Sequence, residues 1–117
     1  MEAVFSAAES FAHNGYDVIV DGIIGPWFIG PWQKAVEDGY EVHYIILRAE
    51  KEETLKRAVG RSKLDTDTNI ELVEIMWKQF CNLGNYETKV LTTTELSPEE
   101  TAERIKEGLE KKKYLLR

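Results

Sequence analysis

The sequence predicts an α/β fold, a parallel sheet between helices in a three-layer α/β/α arrangement, and three observations carry that expectation. Helix-period and strand-like segments alternate along all 117 residues. The connections between the strand-like segments are too long for hairpins, which favours parallel strands joined by crossovers. The run Val18-Ile19-Val20 is apolar at consecutive positions, the pattern of a strand buried on both faces. A chain of this length makes one domain, residues 1–117, burying roughly two-thirds of the surface its unfolded form exposes.

Each element has its own grounds. Val4, Ala8, Phe11 and Ala12 recur at helical spacing across residues 2–14, and Asn14-Gly15 stops that helix before a strand over residues 16–20. Residues 22–32 (GIIGPWFIGPW) hold too much Gly, Pro and aromatic character for strand or helix interior and read as a shaped loop. Pro31 suits a first helical turn, and Gly39 ends the short helix it opens. Residues 41–47 (EVHYIIL) form a second strand rich in β-branched and aromatic side chains, closed by Arg48. Residues 50–62 are helical, with acids in the first turn where the helix dipole prefers them. A polar stretch, residues 63–69, interrupts. Ile70, Val73, Trp77 and Phe80 then stripe another helix that Gly84 terminates. Residues 86–92 supply a third strand. Ser97-Pro98-Glu99-Glu100 opens the last helix with a capping box, and Ala102, Ile105 and Leu109 give it an apolar face.

Composition narrows the classes of function. A net charge of −6 disfavours a nucleic-acid surface, and no segment approaches the ~20 apolar residues of a membrane span. The three lysines at 111–113 read as a solvated helix end. Met1-Glu2 opens no signal peptide, and the single Cys81 forms no internal disulfide, so the expected setting is cytoplasmic. Cys81 is expected in the core. His13 and His43 have no companions at metal-ligand spacing, so no metal site is expected.

The chemistry centres on Asp21. It places a carboxylate at the carboxyl end of the first strand, where open parallel sheets bind ligands. Beside it Gly25, Pro26, Trp27 and Trp32 form an aromatic wall suited to a substrate pocket, the plainer role of the two tryptophans being core. Arg57 and Arg61 stand four apart on one helix and share a face, so two guanidinium groups can converge on phosphates. Glu53, four residues before Arg57, offers that arginine an ordinary surface ion pair instead, whereas position 57 offers Arg61 no acid and its nearest one is Asp65. Thr93 and Thr94 follow the third strand at the same end of the sheet. No Gly is followed by Lys, so the chain contains no G-x-x-x-x-G-K-[ST] phosphate loop.

With Asp21 at a strand end, Leu47-Arg48 closing the next, Arg57 and Arg61 on the following helix and Val90-Leu91-Thr92-Thr93-Thr94 before a capped helix, the chain resembles the P-loop small-molecule kinases. Within them it is similar to the branch of gluconate kinase, chloramphenicol phosphotransferase and the zeta-toxin-like enzymes, through DVIVDGIIGPW and LRAEKEETLKRAVGRS. The resemblance implies a P-loop NTPase-like fold, ATP and magnesium as cofactors and a small-molecule phosphate acceptor. It implies Asp21 as catalytic base or magnesium anchor, Arg57 and Arg61 as catalytic and cofactor-binding phosphate clamps, and residues 61–69 as a lid. Thr93 and Thr94 would pack against adenine. In those kinases the phosphate-loop strand comes first and lies between the strands matching residues 16–20 and 41–47. That strand is missing here, which leaves two inner edges unpaired. The expectation is therefore a kinase-like domain that does not turn over ATP alone, with Met1 internal to a longer frame or the chain a cut-down copy. The alternative is a noncatalytic α/β module whose exposed edge pairs in a homodimer or with an N-terminal partner. A hydrolase with Asp21 as nucleophile lacks a second nearby acid.

Overall fold

The computed structural model describes residues 2–61 and 66–117, the side chains of residues 61 and 66–69 excepted. Five α-helices carry most of it: α1 (Glu2–His13), α2 (Gly30–Glu37), α3 (Lys51–Arg61), α4 (Thr66–Phe80) and α5 (Pro98–Glu110). The described strands are only β1 (Ile46–Arg48) and β2 (Val90–Thr92). These pair in parallel, Ile46 with Val90, Leu47 with Leu91 and Arg48 with Thr92. The expected three-layer α/β/α parallel sheet is therefore not what forms; the protein is mostly helical, with a single two-stranded parallel sheet among the described residues.

The missing strands have local causes. Residues 16–20 carry no regular structure, none pairs with another strand among the described residues, and Ile19 stands 94% exposed. An apolar run becomes a strand only when a neighbouring backbone completes its ladder, and propensity does not replace that neighbour. The expected strand over residues 41–47 shrinks to β1 and one antiparallel bridge, His43 with Leu115. The third keeps only Val90–Thr92 because Gly84–Lys89 winds into a 3-10 turn, with Gly84 at φ 57°. That turn brings the Glu87 carboxylate back onto the Leu83 amide, 2.9 Å away. Gly84 thus opens this turn, and α4 already ends at Phe80.

The chain divides into two compact units. The first holds residues 2–44 with 115–117. Here α1 packs on α2, the Phe5 and Trp32 rings meet edge to face at 5.1 Å, and Ala8, Ile29, Ala35 and Tyr44 are buried. The chain end returns to this unit, where the Leu116 amide donates to the Val42 carbonyl at 2.8 Å.

The second unit holds residues 45–114. Its core is the β1–β2 pair with α3 packed against α4, and the Trp77 indole N–H donates to the Ala49 carbonyl at 3.0 Å. α5 forms as its cap dictates: the Ser97 hydroxyl accepts from the Glu100 amide and the Glu100 carboxylate accepts from the Ser97 amide. Its buried face is Thr101 and Gly108, a step round from the expected Ala102 and Leu109. The cause is Tyr114, 1% exposed, whose ring occupies the space where a side chain at Gly108 would stand. Cys81 is exposed rather than core, its thiol donating to the Lys78 carbonyl. Among the described residues no helix is long and apolar enough to cross a membrane.

Candidate functional site

The second unit gathers three of the expected site residues at the carboxyl ends of β1 and β2. β2 ends at Thr92, and the next residue, Thr93, is buried while its amide donates to the Arg48 carbonyl at 2.8 Å. That bond carries the ladder one step past the strand and fixes where Thr94 emerges. The Thr94 hydroxyl then accepts from the Glu50 amide at 2.9 Å, tying the loop to the entrance of α3. Arg57, two turns into α3, reaches the same loop. Its Nη1 donates to Thr93 Oγ1 at 3.2 Å, and its Nη2 to the Thr93 and Thr94 carbonyls at 2.8 and 3.3 Å. Nε donates to Glu53 Oε1 at 3.0 Å, the (i, i+4) pair that the sequence offers.

Beside this loop lies an open cleft of about 390 Å³ lined by Glu50, Thr92, Thr94, Glu95 and Leu96. Among the described residues its titratable lining is Glu50 and Glu95, with no Lys or Arg. Hydroxyl and amine donors match such a lining, and a triphosphate does not. Arg57 does not change this, because its guanidinium is directed at the protein's own carbonyls and at Glu53. Among the described residues no group of three His, Cys, Asp or Glu side chains is arranged to hold a metal ion.

A second arginine, which the sequence marked only as the end of a strand, braces the site. Arg48 makes a two-pronged ion pair with Glu87, Nη1 to Oε2 at 2.7 Å and Nη2 to Oε1 at 2.8 Å, and Nη1 also donates to the Phe80 carbonyl at 2.8 Å. The hydrogen bond from Arg48, helped by that from the Leu83 amide, holds the Glu87 carboxyl down at about 2. The same bond to Glu87 raises the Arg48 guanidinium further above its ordinary value. β1, the end of α4 and the 3-10 turn are locked together by this one side chain. Its partner lies 39 residues on, inside a stretch that reads as strand, so the pair leaves no local signal.

The remaining expected residues belong to the first unit or lie outside the described side chains. Asp21 is exposed and has no hydrogen-bond or ion-pair partner among the described residues, so it does not cap the loop after it. Gly25 is buried beneath the Trp27 indole, which lies within 2.3 Å of where a Cβ would be. Pro26 opens the 3-10 turn Pro26–Phe28, and Trp27 keeps 52% of its surface in solvent. Trp32 sits on α2 with its ring against Phe5, and its indole nitrogen is buried without a hydrogen bond. Arg61 closes α3, but its side chain lies outside the described ones. Of the expected lid, residues 62–65 lie outside the described residues, and residues 66–69 are the first turn of α4 rather than a loop. Compared with known proteins, the chain matches no family model, no curated protein and no solved structure.

Proposed function

We propose that this chain is part of an ATP-dependent small-molecule phosphotransferase of the kinase type, and that by itself it does not turn over ATP. The observation that supports this reading is the convergence of Arg57, Thr93 and Thr94 at the carboxyl ends of two parallel strands, beside an open cleft. In this reading the Thr93–Thr94 loop faces the nucleoside, and Arg57 holds the loop in place. Asp21 serves the acceptor as base or magnesium anchor, with Gly25, Pro26 and Trp27 as its wall. Arg61 belongs to the lid, and the setting is cytoplasmic. The grip on the phosphates, with its backbone amides and lysine, comes from polypeptide outside these residues.

Amide NMR of the full chain with two separate probes tests this. Adenosine at millimolar concentration is expected to shift the amides of residues 92–96, while inorganic triphosphate with magnesium leaves them unmoved. Micromolar binding of Mg-ATP by calorimetry contradicts the predicted lack of grip, and silence of residues 92–96 towards adenosine removes the nucleotide reading.

A second reading, a noncatalytic module that pairs through a sheet edge, has its own observation. Arg48 directs its carbonyl at Thr93, and backbone groups alternate sides along a strand, so those of Leu47 face away from β2. Leu47 is itself 52% exposed. An open strand edge is a template for another strand. Light scattering at about 10 and 500 µM tests self-pairing, which a constant monomer mass rejects.

A further inference from the structure

We propose that Tyr44 is the positioning residue of the aromatic wall after Asp21, and that the returning chain end sets Tyr44 in turn. The functional meaning rests on the reading of Gly25, Pro26 and Trp27 as acceptor wall, but the geometry stands apart from it. Between the Tyr16 amide, bonded to Phe11, and the Gly25 carbonyl, bonded to Phe28, the segment has no backbone–backbone hydrogen bond among the described residues. Among the described residues one hydrogen bond tethers it: the Tyr44 hydroxyl donates to the Ile24 carbonyl. Tyr44 is 9% exposed, so its ring cannot follow a moving loop.

The tether acts where it matters for the wall. Ile24 directly precedes Gly25, across whose backbone the Trp27 indole lies. Fixing the Ile24 carbonyl orients the next peptide, and the indole has room only because Gly25 lacks a Cβ. On the other side, Tyr44 follows His43, which bridges Leu115, and Val42, whose carbonyl accepts from the Leu116 amide. Leu116 is 4% exposed, which anchors that strap. The order of dependence is therefore Leu116, Val42–Tyr44, Ile24, Gly25, Trp27, all inside the first unit. A hydroxyl on a buried ring, supplying the one hydrogen bond to this loop among the described residues, is a device for holding shape, because a buried ring carries little freedom of its own.

The full chain labelled with 5-fluorotryptophan tests this by 19F NMR, which reads Trp27, Trp32 and Trp77 separately after assignment with Trp27→Phe. Tyr44→Phe keeps the buried ring and deletes only the hydroxyl. The Trp27 resonance is expected to move by more than its linewidth towards the solvent-exposed position, while Trp77, bonded to Ala49 in the other unit, stays. Gly25→Ala, which must push the indole aside, calibrates the displaced signal. An unmoved Trp27 overturns the proposal, and so does movement of Trp27 and Trp77 together, since that reports general loosening. Should Tyr44→Phe not fold, the unmodified protein decides: a slowly exchanging Tyr44 hydroxyl proton is expected, and its absence overturns the tether. None of these signals depends on an acceptor or nucleotide, so the tether can survive failure of the phosphotransferase reading.

Discussion

Gly25 and Gly108 offer a comparison at the scale of single residues, because a Cβ at either would come within 2.3 Å of an aromatic ring. What differs is whether the ring can leave. Trp27 has 52% of its surface in solvent, which leaves open space on its outer side, whereas Tyr114 is 1% exposed and has nowhere to go. At Gly108 the helix-propensity gain of alanine is at most ~1 kcal/mol. Overpacking a tight site costs ~1–3 kcal/mol. Gly108→Ala is therefore expected to lower the urea midpoint, while Gly25→Ala changes it little and alters tryptophan fluorescence instead; equal midpoints for the two variants refute the argument. The Arg48–Glu87 pair gives a pH dependence with a definite sign. Folded Glu87 titrates at about 2 against an ordinary 4.5, so the unfolded chain binds the proton first as acid is added. Its stabilisation is complete above the ordinary carboxylate range and is lost as pH falls from about 4.5 to about 2. Glu87→Gln should weaken the protein at pH 7 and show a shallower loss of urea midpoint through that window than the parent. Parallel pH profiles would show that the pair does not contribute.

At the scale of elements, legibility in the sequence follows how local the determining forces are. α5 was readable to its first residue because Ser97, Pro98 and Glu100 act on one another within a single turn. Ser97→Ala removes the hydroxyl that accepts the Glu100 amide and is expected to cost about 1 kcal/mol. A midpoint shift in urea measures it, and a shift near zero means the first turn is held by other contacts. α1 and α3 were legible for the same kind of reason, an amphipathic period with a local stop or acidic first turn. Strands depend on partners elsewhere in the chain, which is why residues 16–20, apolar apart from Asp17, form none. The site divides along the same line. Arg57 and Glu53 sit one turn apart and were visible as a pair; Arg57 and Thr93 are 36 residues apart, and only the parallel register of β1 and β2 brings them together. The Arg48–Glu87 lock and the Tyr44 tether were not visible, because each joins an ordinary side chain to a distant segment whose local pattern suggested something else.

At the scale of the whole molecule, the two units differ in how fully their backbones are satisfied, and hydrogen exchange makes the difference measurable. In the second unit β1 and β2 share a ladder that Thr93 extends, and α3 packs on α4. In the first, residues 17–23 donate no backbone–backbone hydrogen bond among the described residues, although Val18, Ile19 and Ile23 are apolar and exposed. Amides without an acceptor exchange with little protection, while those in a packed ladder wait for a larger opening. Exchange at low micromolar concentration is therefore expected to complete within seconds over residues 17–23 and to be slower by orders of magnitude at Leu91 and Thr93. Repeating the measurement at several hundred micromolar turns the same experiment on the question of partners. A strand from a second copy laid on this segment would bury its apolar side chains and bond its amides, slowing exchange there and nowhere in α5. If residues 17–23 stay fast at every concentration, the segment does not self-pair. If they are slow even when dilute, the segment is satisfied within the single chain, and the account of why no strand forms over residues 16–20 fails.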